Sequence, residues 1–166
     1  GRKKMIIAVD GPAGSGKSTI SKLLAKELGL VYLDTGAMYR LFTLKMLKEN
    51  VSFSDNDKIN ELLEKLNINI ENDKFYLDDE DVSEEIRKTD VAENVSKTAA
   101  IDEVREKMVS LQREFSKSKN VILDGRDIGT VVFPEADIKI FLVADPRERA
   151  ERRFKELKAK GENISL

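Results

Sequence analysis

The chain has 166 residues, 40% hydrophobic and 36% charged, which suits one soluble domain with a real core and is too short for two full ones. It contains no cysteine and no histidine, which excludes a disulfide framework, a thiolate zinc site and a histidine base. Chemistry must therefore come from carboxylates, Lys, Arg, hydroxyls, backbone amides or a hard metal ion. The net charge of −2 is spread over acidic and basic residues mixed along the chain, unlike the clustered Lys and Arg of a nucleic-acid binder. No apolar run approaches the roughly 18–20 residues of a membrane span. The run from Met5 to Val9 is too short for a signal peptide. The expectation is a cytoplasmic monomer with neither nucleic acid nor membrane as partner.

Met5 to Asp10 is a short apolar run ending in a turn signal and predicts a buried strand. A glycine-rich loop follows. From Lys17 a helix is expected, with Ile20, Leu23, Leu24 and Leu28 at helical spacing and Gly29 as its stop. Val31-Tyr32-Leu33 predicts a second strand, so the chain opens as a parallel β–loop–α–β unit. A helix from about Met38 to Lys48 comes next, then a polar helix from Asp55. Ile68 to Ile70 and Phe75 to Leu77 alternate around a polar turn at Glu71-Asn72-Asp73, which predicts a hairpin. A hairpin inside a parallel α/β pattern points to an inserted subdomain, at about 36–100, with the core at about 1–35 and 101–166. Ile101, Val104, Met108, Leu111 and Phe115 recur at steps of three and four and predict a long amphipathic helix. Val121 to Leu123 and Ile138 to Val143 predict two further strands. Asp145-Pro146 predicts the cap and first residue of a last helix running towards Gly161.

Gly11-Pro12-Ala13-Gly14-Ser15-Gly16-Lys17-Ser18 fits the phosphate-loop pattern G-x-x-x-x-G-K-[ST] (Walker A) at every fixed position, with Thr19 continuing into the helix. The glycines let backbone wrap phosphate oxygens without Cβ clashes, and the N–H groups point inward as an anion nest. The helix N-terminus adds positive potential. Lys17 is expected on the β and γ phosphates, and the Ser18 hydroxyl on Mg²⁺ brought with ATP. A glycine turn that only joins strand to helix is the alternative reading. The loop implies a nucleoside triphosphate but not the fate of its γ-phosphate.

A GTPase switch is excluded: Asp124-Gly125-Arg126-Asp127 is not D-x-x-G, and no N-K-x-D occurs. In an open α/β sheet, ligands sit beyond the carboxyl ends of the strands. Asp34-Thr35-Gly36-Ala37-Met38-Tyr39-Arg40 therefore falls beside the phosphate loop, offering a carboxylate, a hydroxyl, a ring and a cation. Thr35-Gly36 also reads as a helix-capping turn, and Arg40 as a solvated helix residue. Asp124 to Asp127 likewise follows a core strand. Arg126 suits a bidentate phosphate clamp, and Asp124 suits magnesium or its waters. A polar loop with internal ion pairs is the alternative. On spacing alone, Arg105 reads as an arginine whose stem covers the edge of the core.

With these residues in hand, the chain resembles the bacterial cytidylate kinases. The resemblance covers essentially the whole chain and is carried by Asp10 to Thr19 (DGPAGSGKST), Leu33 to Arg40 (LDTGAMYR), Val82 to Arg87 (VSEEIR) and Val121 to Pro134 (VILDGRDIGTVVFP). It implies an α/β P-loop NTPase three-layer fold, with a parallel core sheet and an inserted monophosphate-binding subdomain. The implied reaction is transfer of the γ-phosphate of ATP to CMP or dCMP, with Mg²⁺, and Lys17, Asp124 and Arg126 as the residues of the transfer. By the same resemblance Thr35, Gly36 and Tyr39 line the acceptor site, and Arg40 and Arg126 hold its phosphate. Ser96, Arg105 and Asp127 contact the cytosine edge, which reverses the plain reading of Arg105. Arg149, Arg152 and Arg153 are candidates for the lid. The family pattern continues past Leu166, so lid and tail are expected to be incomplete here. Two other functions stay open from the residues: a P-loop kinase for another small acceptor, and a nucleotide-binding module without transfer.

Overall fold

The computed structural model describes residues 4–71, 73–143 and 154–155. Four strands form a parallel sheet in the order β2-β6-β1-β7: β1 (Ile6–Asp10), β2 (Val31–Asp34), β6 (Val121–Gly125) and β7 (Ile138–Phe141). Alternation along the strands divides its two faces. Ile7, Val9 and Ile122 point to the face covered by α1 (Lys17–Leu28), where Ile20 and Leu24 meet them. Ala8, Leu33, Val121 and Leu123 point to the other face, where α2 (Thr35–Lys48), α3 (Asn56–Glu64) and α5 (Asp102–Ser116) supply the main core.

The predicted hairpin is present and larger than expected. β3 (Ile68–Glu71) pairs with β4 (Lys74–Leu77), and β4 with a two-residue strand, β5 (Glu80–Asp81). Asp78 and Asp79 both have positive φ, the backbone of a two-residue hairpin turn whose twist matches the strands it joins. A 3₁₀ turn (Glu85–Arg87) and a helix the periodicity did not reveal, α4 (Thr89–Ala99), complete the region.

α2 is buried on two sides, because its sequence carries two apolar stripes. Met38, Phe42 and Met46 enter the main core, while Ala37, Leu41 and Leu44 meet Phe75, Leu77, Val82, Ile86 and Val91 in a second cluster. Its start is fixed by Asp34, whose carboxylate accepts from the Ala37 N–H at 3.1 Å, so the helix begins three residues earlier than predicted. Between the stripes, the Thr43 hydroxyl donates to the Tyr39 carbonyl and pairs at 2.8 Å with that of Thr98 on α4, both fully buried.

After β6 the chain makes one π-helical turn (Ile128–Val132). Asp10, at the end of β1, holds it: its carboxylate accepts from the Ile128 N–H at 2.7 Å and the Gly129 N–H at 2.8 Å. On the far side, the Arg113 guanidinium donates to the carbonyls of Val132 (3.1 Å) and Val131 (3.2 Å). The segment after β6 is thus clamped from both the sheet and α5. The helix expected from Asp145-Pro146 lies outside the described residues.

Asp10 is 7% exposed, so truncating it strands two buried N–H donors, each costing about 1–3 kcal/mol. Asp10→Ala should lower unfolding free energy by about 2–4 kcal/mol in equilibrium urea denaturation, with the m-value unchanged. A loss under about 1 kcal/mol would mean that the turn does not depend on this clamp.

Candidate active site

The phosphate loop joins β1 to α1, as its spacing predicts. Gly14 and Gly16 have φ of 74° and 89°, the left-handed backbone that glycine adopts without strain. Gly16 is the N-cap of α1, and the Lys17 ammonium reaches back across the loop to the Gly11 carbonyl at 2.6 Å. The Ser15 Oγ is buried and has no hydrogen-bond partner among the described residues.

The loop opens onto a cleft of about 960 Å³ at the carboxyl ends of the strands. Pro12, Gly14, Gly16, Lys17 and Ser18 line its phosphate-loop end. Thr35, Gly36, Tyr39 and Arg40 line the α2 wall, Ser96 the α4 wall and Arg105 the α5 wall. Asp124, Arg126 and Asp127 come from the end of β6. The cleft therefore gathers every residue named for the acceptor side. Gly11, Ala13, Ser15 and Thr19 belong to the loop but do not line this cleft. Gly11 instead lines a recess of about 420 Å³ that shares Pro12, Arg126 and Asp127 with the main cleft. Arg149, Arg152 and Arg153 lie outside the described residues.

Asp34 and Asp124 are register partners on adjacent strands, so their carboxyl groups emerge side by side. Asp34 is engaged, by the Ala37 N–H and by Arg40 at 3.3 Å. Asp124 is 4% exposed and accepts from the Tyr32 hydroxyl at 2.7 Å. Burial raises its pKa to about 6; the Asp34 charge adds to the rise, while the Tyr32 hydrogen bond and Lys17 oppose it. Tyr32 is correspondingly pushed up, by burial first and then by Asp124. Thr35 locks the β6 end, its hydroxyl donating to the Asp124 carbonyl at 2.7 Å. Gly125 is required there, because a Cβ would collide with Thr35 Oγ1.

Also in the cleft, Arg105 and Asp127 approach to 4.0 Å, and both act on the Tyr39 hydroxyl. Burial holds that hydroxyl above its ordinary pKa, and Arg105 partly offsets the rise. Asp127 has φ 62°, a left-handed conformation that Asp tolerates at some cost and that turns its side chain away from the β6 path.

Sequence reasoning did not assign functional positions to Asp10, Tyr32 or Gln112. Asp10 and Tyr32 act on groups 119 and 92 residues away, which no local pattern reveals. Gln112 carried a legible signal: it follows Met108 by four residues and so is a polar residue on an apolar stripe.

Comparison with known proteins agrees with this geometry. The family model described as cytidylate kinase matches residues 7–166. A cytidylate kinase of Fusobacterium nucleatum is 56% identical over 161 residues, 97% of this chain and 74% of the relative. That of Caldanaerobacter subterraneus is 54% identical over 158 residues, 95% of this chain and 70% of the relative. That of Clostridioides difficile is 51% identical over 162 residues, 98% and 75% of the two chains. With the phosphate loop, the paired strand-end carboxylates and the Arg105–Asp127 pair within one cleft, and matches at this identity over nearly its whole length, the chain belongs to the cytidylate kinase family.

Proposed function

We propose that this chain transfers the γ-phosphate of ATP to CMP or dCMP, giving ADP and CDP or dCDP, in pyrimidine nucleotide metabolism. The observation that carries the reading is one cleft lined by two chemically distinct sets of groups. One is a phosphate nest with Lys17; the other holds an acid, a guanidinium and a hydroxyl, the complement of a cytosine edge that mixes donor and acceptors. Lys17 and the loop amides take the ATP phosphates. Arg40 and Arg126 take the acceptor phosphate, and with Lys17 they stabilise charge on the transferring group. Thr35 and Gly36 line the acceptor site, Tyr39 packs beside the acceptor, and Ser96, Arg105 and Asp127 read its base. Residues 36–100 act as the monophosphate-binding insert, joined to the core through α2, whose two stripes enter both clusters. No described helix is long and apolar enough to cross a membrane; a cytoplasmic monomer is the proposed state.

Among the described residues no group of three or more acidic side chains could hold a metal alone. Ser18 and Asp124 suit a Mg²⁺ that arrives with nucleotide phosphates and keeps several waters. Asp124 fits that part because, among the described residues, its buried carboxylate accepts from the neutral Tyr32 hydroxyl and makes no ion pair. The ion would supply neutralising charge to the β and γ oxygens.

The direct test is ADP release with MgATP and CMP, dCMP, UMP, AMP or shikimate in parallel. Stimulation chiefly by CMP and dCMP is expected; stimulation chiefly by another acceptor would overturn the base assignment. Asp127→Ala should raise KM for CMP tenfold or more, about 1.4 kcal/mol per decade, and leave KM for ATP within about twofold. Equal losses for both substrates would remove Asp127 from base reading.

Asp124 gives a pH prediction. Its folded-state value of about 6 exceeds the ordinary 3.8, so the folded protein binds more protons between those values and loses stability as pH rises through them. Without metal or nucleotide, Asp124→Asn should melt above the parent at pH 8. That advantage should vanish towards pH 4, while transfer falls by about a hundredfold or more. A variant less stable than the parent at pH 8 would mean the carboxylate is satisfied within the protein.

A further inference from the structure

Arg105, Val109 and Gln112 lie at steps of four and three on α5, and all three line the cleft. Seven residues of helix separate Arg105 from Gln112 by about 10 Å along the axis. Arg105 has a half-exposed side chain, whereas Gln112 is 1% exposed, so one stands at the mouth and the other at the closed end. The cleft also takes apolar lining from Val95, Ala99, Val109 and Val132.

The Gln112 Oε1 is buried and accepts no hydrogen bond among the described residues. The groups around it have their own partners. Arg113, not Gln112, serves the Val131 and Val132 carbonyls, and the Ser116 hydroxyl bonds to the main-chain carbonyl of Gln112. A buried, unpaired amide oxygen costs about 1–3 kcal/mol, a cost that Met, of similar length, would avoid. A buried amide oxygen with no partner among the described residues, on a residue that lines the cleft, is suited to a partner carried by a ligand.

We propose that Gln112 is a specificity-determining residue for the acceptor, its side-chain amide hydrogen-bonding the pyrimidine edge at the closed end of the cleft, directly or through one trapped water. The inference rests on the assignment of the acceptor base to this cleft, beside Ser96, Arg105 and Asp127. An amide offers a donor and an acceptor together, as the cytosine edge does with its amino group beside N3, and carries no charge to desolvate in an apolar recess.

The test is steady-state kinetics and thermal melting of Gln112→Met in the full chain with MgATP. The expected result is a KM for CMP raised tenfold or more, a KM for ATP within twofold of the parent, and a Tm equal to or above the parent's. A KM for CMP within twofold of the parent, or equal increases for CMP and ATP, overturns the role of Gln112 and leaves the function standing. A parent protein whose ADP release does not respond to CMP overturns both. Should the variant fail to fold, the Gln112 side-chain amide resonance of the unmodified protein decides: a shift on adding CMP supports contact, and no shift overturns it.

Discussion

The structure depends on a parallel sheet that brings carboxylates on three adjacent strands to one edge. Asp34 and Asp124 are opposite each other in register, and Asp10 is opposite Gly125 one step further along. Acids concentrated at the edge of a phosphate-binding sheet repel one another and the ligand unless each has its own partner. Two are answered by backbone: Asp10 takes two N–H groups of the turn after β6, and Asp34 takes the first turn of α2 together with Arg40. Their negative charge is thereby converted into loop and helix positions. Asp124 receives the Tyr32 hydroxyl but no backbone N–H among the described residues, and burial, followed by the Asp34 charge, raises its pKa. The carboxylate left wanting a cation is thus the one beside the phosphate loop.

The same economy governs the acceptor side. Of the residues proposed for the acceptor, Tyr39 and Arg40 sit on α2, Ser96 on α4 and Arg105 on α5, and Arg126 and Asp127 join them from the segment after β6. α2 belongs to both hydrophobic clusters, and the Thr43–Thr98 hydroxyl pair ties it to α4 in a fully buried position. A polar pair in an apolar interface is tolerated because each hydroxyl is satisfied, and it fixes the register of the helices more tightly than methyl contacts alone. The side chains proposed to face the monophosphate therefore inherit their spacing from a packed interface.

How much of this was legible in the sequence depends on range. The phosphate loop was readable because motif, preceding strand and following helix are contiguous, and the hairpin because Ile68, Ile70, Phe75 and Leu77 alternate around a polar turn. β5 was not readable: it is two exposed acidic residues, defined by the Asp78-Asp79 turn rather than by any apolar pattern. α4 was missed because Val91, Val95 and Ala99 form a stripe too short to stand out among polar residues. The roles of Asp10 and Tyr32 arise only when β6 is paired on both sides, and periodicity carries no information about contacts at that separation.

The unpaired groups follow a rule that the paired ones make visible. Among the described residues, the buried side-chain atoms without a partner are Ser15 Oγ in the phosphate loop, Ser21 Oγ on α1 and Gln112 Oε1 at the closed end of the cleft. Ser21 faces Asp124 closely enough to bias its ionisation without a well-formed hydrogen bond. Of the three, Gln112 lines the cleft, while the buried hydroxyls of Thr35, Thr43, Thr98 and Ser116 and the Asp10 carboxylate are bonded within the protein. Where such a group belongs to the cleft, as Gln112 does, a polar ligand can supply the partner that the fold does not, and stability without the ligand is lower for it.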